Sequence, residues 1–183
     1  MPYDAVVTEP DPRYPIGRRP DLDPGDPAVR KDAIASLAAH PAKLRAVAES
    51  LNDAQLDTAY RDGGWTARQV VHHLADSHLH AYLRCRWTLT EDEPTIKGYD
   101  PAVWADLADA RTSPIEPSLQ LLAGLHARWV ALFGALAEAD FERAWVHPTS
   151  GRSITLGATL LTYAWHGDHH IAHVEAAKRR HDH

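Results

Sequence analysis

Four histidines fall within eight residues in Trp165-His166-Gly167-Asp168-His169-His170-Ile171-Ala172-His173. Two pairs, His166/His170 and His169/His173, have the i, i+4 spacing that puts both imidazoles on one face of a helix. With that spacing one helix can give two nitrogens to a single metal ion. A second cluster, His72-His73-Leu74-Ala75-Asp76-Ser77-His78-Leu79-His80, lies about ninety residues upstream. An isolated helical histidine is ordinarily a surface or satisfied core group. Paired spacing together with a second cluster points instead to a divalent metal held by imidazoles between helices.

The elements that must position these groups read as helices. Residues 1–26, rich in Pro, Asp and Arg, show no period and are expected to form an N-terminal arm. A helix is expected from Pro27, with Ile34, Leu37, Ala38, Leu44, Val47 and Leu51 at helical spacing. Pro41 interrupts this pattern and should kink or split that helix. After the turn Arg61-Asp62-Gly63-Gly64, Thr66-Ala67-Arg68-Gln69 matches a capping box that opens a helix to about Thr90. Residues 91–101 read as loop, followed by a short helix over 101–109. Leu121, Leu122, Leu125, Trp129, Leu132, Phe133 and Leu136 give the next helix a strong apolar stripe. Residues 143–154 suit a turn or small hairpin, and Thr155 can cap a last helix running to about Lys178. Four long amphipathic helices without alternating strands predict an all-α bundle in one domain over 1–183.

Helix rotation chooses among the histidines. Leu160, Tyr163, Ala164, Gly167, Ile171 and Val174 mark the core face of the last helix. His170 lies on that seam and His166 at its edge, while His169 and His173 fall further round with Thr162 and Trp165. On the second helix His73 shares a face with Val70, Leu74, Ser77, His80 and Arg84, and His72 sits about 100° away. His73, His166 and His170 are therefore the favoured inward ligands.

Charge and composition narrow the partners. The chain has 19 Lys and Arg against 25 Asp and Glu, a net charge of −6, and no long basic run, which disfavours nucleic acid. No apolar stretch reaches the ~18 residues of a membrane span. Met1 to Asp4 show no basic patch leading into an apolar run, so no signal peptide is expected and the cytoplasm is the expected compartment. The single Cys85 excludes an intrachain disulfide and a cysteine-only zinc site, and reads as a small residue packed on a helix. His181 and His183 do not form a hexahistidine tag.

The run Tyr60-Arg61-Asp62-Gly63-Gly64-Trp65-Thr66-Ala67-Arg68-Gln69-Val70-Val71-His72-His73-Leu74-Ala75-Asp76-Ser77-His78 resembles the YfiT branch of the DinB-like proteins. Trp165 to His173 matches the other half of that signature, and Tyr14-Pro15-Ile16-Gly17 and Leu125-His126-Ala127-Arg128-Trp129 fit as well. The resemblance covers nearly the whole chain. It implies a four-helix bundle with extra short helices and one divalent metal per chain held by His73, His166 and His170. It further implies a metal-dependent hydrolase, with relatives in the wider superfamily that are thiol-dependent transferases or isomerases, and a homodimer. Asp168, inside the second motif, departs from the family pattern and should point away from the ligands.

Three neutral imidazoles leave a +2 ion open at one position or more, the arrangement of a catalytic site. Zinc is the default for three nitrogens, and nickel also suits imidazole. Hydrolysis would use the metal to lower the pKa of bound water towards about 7. No Glu is placed as in His-Glu-x-x-His, but Asp76, three residues from His73, could orient a ligand or water; a solvated carboxylate is the plainer role. Transfer of a low-molecular-weight thiol of the bacillithiol type would use the metal to stabilise a thiolate, with Arg84 to hold a carboxylate. A salt bridge is the plainer role for Arg84. A non-catalytic metal-stabilised binding protein is the third expectation, and a fourth ligand such as His147 or His80 would favour it. Trp65 and Trp165, beside the motifs, are candidates to wall a pocket for a small-molecule substrate; ordinary packing is the plainer role.

Overall fold

The computed structural model describes residues 11–181. The expected arm lies partly outside this range; residues 11–26 form turns and extended chain. The elements in order are α1 (Pro27–Ala48), α2 (Asp53–Leu56), α3 (Ala67–Thr90), α4 (Pro101–Ala105), α5 (Ala108–Thr112), α6 (Glu116–Gly134), a 3-10 turn (Glu138–Glu142), β1 (Ala144–Val146), β2 (Ser153–Thr155) and α7 (Leu156–His181). Four long helices make the bundle. Helix α1 packs on α6 and α7, and α3 packs on the same two. Consecutive α1 and α3 therefore lie on a diagonal, and so do α6 and α7. This is not the up-down-up-down order in which each helix packs beside the next.

Local chemistry sets the helix starts. Asp26 caps α1 by accepting from the Ala28 amide, with Pro27 in the first turn. Thr66 and Gln69 close the capping box at the head of α3, at 2.9 and 3.2 Å. Arg68, one residue into α3, is buried and bonds Asp57, Asp53 and the Ser113 carbonyl. These contacts fix the rotation of α3 one turn before His73. The hairpin β1–β2 is antiparallel, with Trp145 opposite Ile154, and Trp145 Nε1 donates to Thr159 on α7.

The apolar core has two parts. One contains Leu37, Ala81, Trp129, Phe133 and Leu160; the other contains Leu44, Val70, Leu74, Leu122 and Val174. Between them lies a layer of histidines from all four long helices: His40, His78, His126, His166 and His170.

Pro41 does not split α1, which runs unbroken from Pro27 to Ala48. A proline ring removes one amide donor, and the carbonyl four residues back loses its helical partner. Here that carbonyl is Leu37's, and it accepts instead from His126 Nδ1 at 2.6 Å.

Gly167 explains how two helices approach at this layer. A Cβ there would overlap the His40 ring, which is 1 % exposed. In an isolated helix Gly167→Ala would gain about 1 kcal/mol. Displacing a buried ring costs about 1–3 kcal/mol, so the substitution should destabilise the protein by roughly 1 kcal/mol. Urea unfolding measures it, and a variant more stable than the parent would refute this packing account.

Candidate metal centre

His73 on α3 and His166 and His170 on α7 each offer a ring nitrogen, and the three atoms lie within 4.8 Å of one another. Their ring centroids are 5.4 Å apart for His73 and His166, 4.8 Å for His73 and His170, and 4.4 Å for His166 and His170. Burial pushes the His73 imidazole down to about 4. Burial first, and then neighbouring histidines, hold His166 and His170 well below the ordinary range. All three are neutral near pH 7, so each has a lone pair to give. Three converging neutral nitrogens on two rigid helices suit a divalent ion of the zinc type. Among the described residues no fourth His, Cys, Asp or Glu joins the group.

The trio lies in the wall of a cavity of about 450 Å³ that Ser77, Arg84, Tyr99, His147 and Tyr163 also line. Arg84 Nη1 donates to the Tyr163 hydroxyl at 3.3 Å, and its guanidinium lies 5.1 Å from the Trp145 ring centre. Its Nε is buried without a hydrogen bond, and no carboxylate pairs with it among the described residues. Burial raises the Tyr99 and Tyr163 phenols, so both keep their protons as donors. His147 Nδ1 accepts from the Thr149 and Ser150 amides at 3.3 Å, which leaves its proton on Nε2.

The remaining expected residues take other places. Asp76 does not line the cavity; burial and then Asp109 raise its carboxyl. His80 stacks on Tyr99 with centroids 4.4 Å apart, away from the trio. His72 bonds Ser118 Oγ at 2.7 Å, a structural role between α3 and α6. Trp65 and His170 line this cavity and also a second hollow of about 410 Å³, which holds His169 and His173. His173 stacks on Tyr60, and its Nδ1 meets His170 Nδ1 at 3.3 Å. Trp165 stacks on His169 instead of facing the trio. Asp168 turns to α1, where it accepts from Lys43 and Ser36, both at 2.8 Å. Cys85 is fully buried, and burial pushes its thiol up to about 12, which removes it as a nucleophile.

Sequence reasoning did not single out His40, His78 and His126, a second buried trio with nitrogens within 4.8 Å. A signal for all three exists, His40 sharing the apolar stripe of Leu37 and Leu44. His126 shares the apolar stripe of Leu122 and Trp129, and His78 that of Leu74 and Tyr82. A polar ring on an apolar stripe must find a partner inside. Tyr99 was also unmarked, because it lies in a loop without period.

Residues 36–174 match the DinB superfamily. A Bacillus licheniformis protein named "Putative metal-dependent hydrolase" is 47% identical over 168 residues, covering 92% of this chain and 96% of that one. YfiT of Bacillus subtilis is 46% identical over 167 residues, 91% of this chain and 94% of its own. A solved structure of Bacillus subtilis YfiT, described as a probable metal-dependent hydrolase with an unusual four-helix bundle topology, superposes with a TM-score of 0.89 at 44% identity. It covers 93% of this chain and 98% of that one. No helix among the described residues is long and apolar enough to cross a membrane. The chain belongs to the DinB superfamily and, within it, to the YfiT-like proteins.

Proposed function

We propose that this protein is a metal-dependent hydrolase of small anionic substrates, in which His73, His166 and His170 hold one divalent ion. The observation that carries this reading is a cavity that joins three neutral imidazoles to an arginine and, among the described residues, has no lining carboxylate. Zinc is the first choice for such a site and nickel the second. The ion would supply Lewis acidity, lowering the pKa of water towards about 7 and polarising a carbonyl or phosphoryl oxygen. The chain's own residues do the rest. Arg84 anchors a carboxylate or phosphate. Tyr99 and Tyr163 donate to oxygens that gain charge, and His147 can donate from Nε2. Arg84 and Tyr163 are held by α3 and α7, while Tyr99 and His147 come from the loops before α4 and after β1.

The test is turnover of a panel of anionic and neutral esters and amides by zinc- or nickel-loaded protein. Anionic substrates should be hydrolysed, and chelation should abolish this. Failure with every substrate despite full loading would overturn the reading. The missing carboxylate base also favours a second chemistry, transfer of a low-molecular-weight thiol, which needs no protein base of fixed type. Thiol adducts formed by the loaded protein, without hydrolysis, would put that reaction in its place.

Arg84→Ala should raise KM by about 10–100-fold, since a hydrogen bond to a charged group contributes about 1.5–3 kcal/mol. kcat should change less, because the anchor acts in ground and transition states alike. Arg84→Lys should recover only part, as an ammonium lacks the planar fork. Unchanged KM in Arg84→Ala would sink the anionic-substrate assignment.

A further inference from the structure

The second histidine trio is joined to the first. His166 Nδ1 meets His78 Nε2 at 3.1 Å, His78 Nδ1 meets His126 Nε2 at 2.8 Å, and His126 Nδ1 meets the Leu37 carbonyl at 2.6 Å. These contacts run from the candidate metal centre through the core to α1. His78 and His126 are 0 % and 1 % exposed, so no bulk water competes for their nitrogens.

The proton positions follow from the end of the chain. A carbonyl oxygen only accepts, so His126 Nδ1 carries the proton. Neutral imidazole has one N–H, which makes His126 Nε2 an acceptor, and His78 Nδ1 must be its donor. His78 Nε2 then accepts in turn, so His166 donates from Nδ1. One bare nitrogen is left over: His166 Nε2, the one available to a metal. Three neutral rings supply three protons for three hydrogen bonds, with none missing and none spare.

The ring geometry fits protons between the rings. The His78 and His126 centroids are 5.0 Å apart and the His78 and His166 centroids 5.3 Å. Against N···N distances of 2.8 and 3.1 Å, little remains beyond the two ring-centre-to-nitrogen distances. The nitrogens therefore lie on the lines between ring centres and point at each other head-on. Two imidazoles on one tetrahedral ion would aim at a shared point off that line, with nitrogens about 3.3 Å apart. His40, the third ring of this trio, bonds outward, its Nε2 to Ser36 Oγ at 3.2 Å.

The geometry points to a fixed-tautomer relay, Leu37 carbonyl–His126–His78–His166, that presents His166 Nε2 to the metal; His78 and His126 are positioning residues for this ligand. Pro41 belongs to the device, because its missing amide leaves the Leu37 carbonyl without its helical donor. Partners that orient a metal-bound histidine contribute about 10–100-fold to metal affinity. This inference rests on the proposed metal at the His73 trio, but the tautomers are a property of the metal-free chain.

The test pairs two measurements. Long-range 1H–15N NMR of the metal-free, histidine-labelled protein should show His126, His78 and His166 all as Nδ1–H tautomers. A zinc competition titration should show one zinc per chain, bound about 10–100-fold more weakly in His126→Leu. An Nε2–H tautomer at any of the three rings overturns the relay, and so does unchanged affinity in a folded variant. Two zinc ions per chain, one lost in His126→Leu, would make the second trio a metal site instead. If His126→Leu fails to fold, the tautomers of the parent protein decide. Zinc refused by the parent protein would count against the proposed function, while the tautomers would still settle the relay.

Discussion

His170→Ala should fold, lose its divalent ion on dialysis, and fall in activity by roughly 10³-fold or more. Two nitrogens remain after the change, and both His73 and His166 stay on their helices. Loss of one imidazole from a three-imidazole site leaves too few ligands to retain zinc against a chelator. Without the ion, water returns from a pKa near 7 towards 15.7, and hydroxide at neutral pH becomes scarce. Folding should survive, because His170 lines an open cavity and water can enter the vacated space. His166→Ala should cost more stability than His170→Ala, since it also strips His78 Nε2 of its partner in the core. Metal content by mass spectrometry and circular dichroism together check this. Zinc should also raise the melting temperature of the parent and not of the variant, by linkage. Stoichiometric metal retained in His170→Ala and His73→Ala would exclude this ligand set.

How much of this was legible in the sequence depended on whether the signal was local. Thr66 and Gln69 announce the start of α3 because a capping box is built from side chains three residues apart. His166 and His170 announce themselves through the i, i+4 rule, and their rotation follows from the apolar seam beside them. The partner of that pair on another helix was legible only through the apolar face around His73. His40, His78 and His126 lie on apolar stripes, but nothing in their spacing pairs them with one another. They come from three different helices and meet only after α1, α3 and α6 pack. Pro41 shows the same limit from the other side. Its rule is sound, and the amide it removes is missing, but the consequence is carried by His126 from eighty-five residues away. The diagonal placing of consecutive helices was equally hidden, since segment order alone does not choose among bundle topologies.

His73, His78, His126, His166, His170 and His173, kept neutral by burial, should also make the metal-free protein acid-labile well above the carboxylate range. His73, His126 and His173 are pushed down to about 4, chiefly by burial, against about 6.5 when unfolded. Their exposures of 7, 1 and 2 % leave little solvent screening. Between pH 6.5 and 4 the unfolded chain binds protons at these sites and the folded chain does not. Stability therefore rises with pH through this window and is lost as pH falls. Each histidine contributes a slope of about 1.4 kcal/mol per pH unit, so three give roughly 4. A typical domain stability of about 5–15 kcal/mol would then be consumed largely within the window, and His78, His166 and His170 act in the same direction. Asp168 does not interfere. Burial works to raise its carboxyl, but His40, Lys43 and Ser36 hold it below the usual range, so its contribution is lost only under pH 4. Tryptophan fluorescence against pH should show cooperative unfolding between pH 4 and 6, with three or more protons taken up per chain. Saturating zinc should move the transition to lower pH, because ligation adds a further cost to protonating the same rings. A metal-free protein still folded at pH 4, or one that unfolds without proton uptake, would mean that these six histidines are not held neutral.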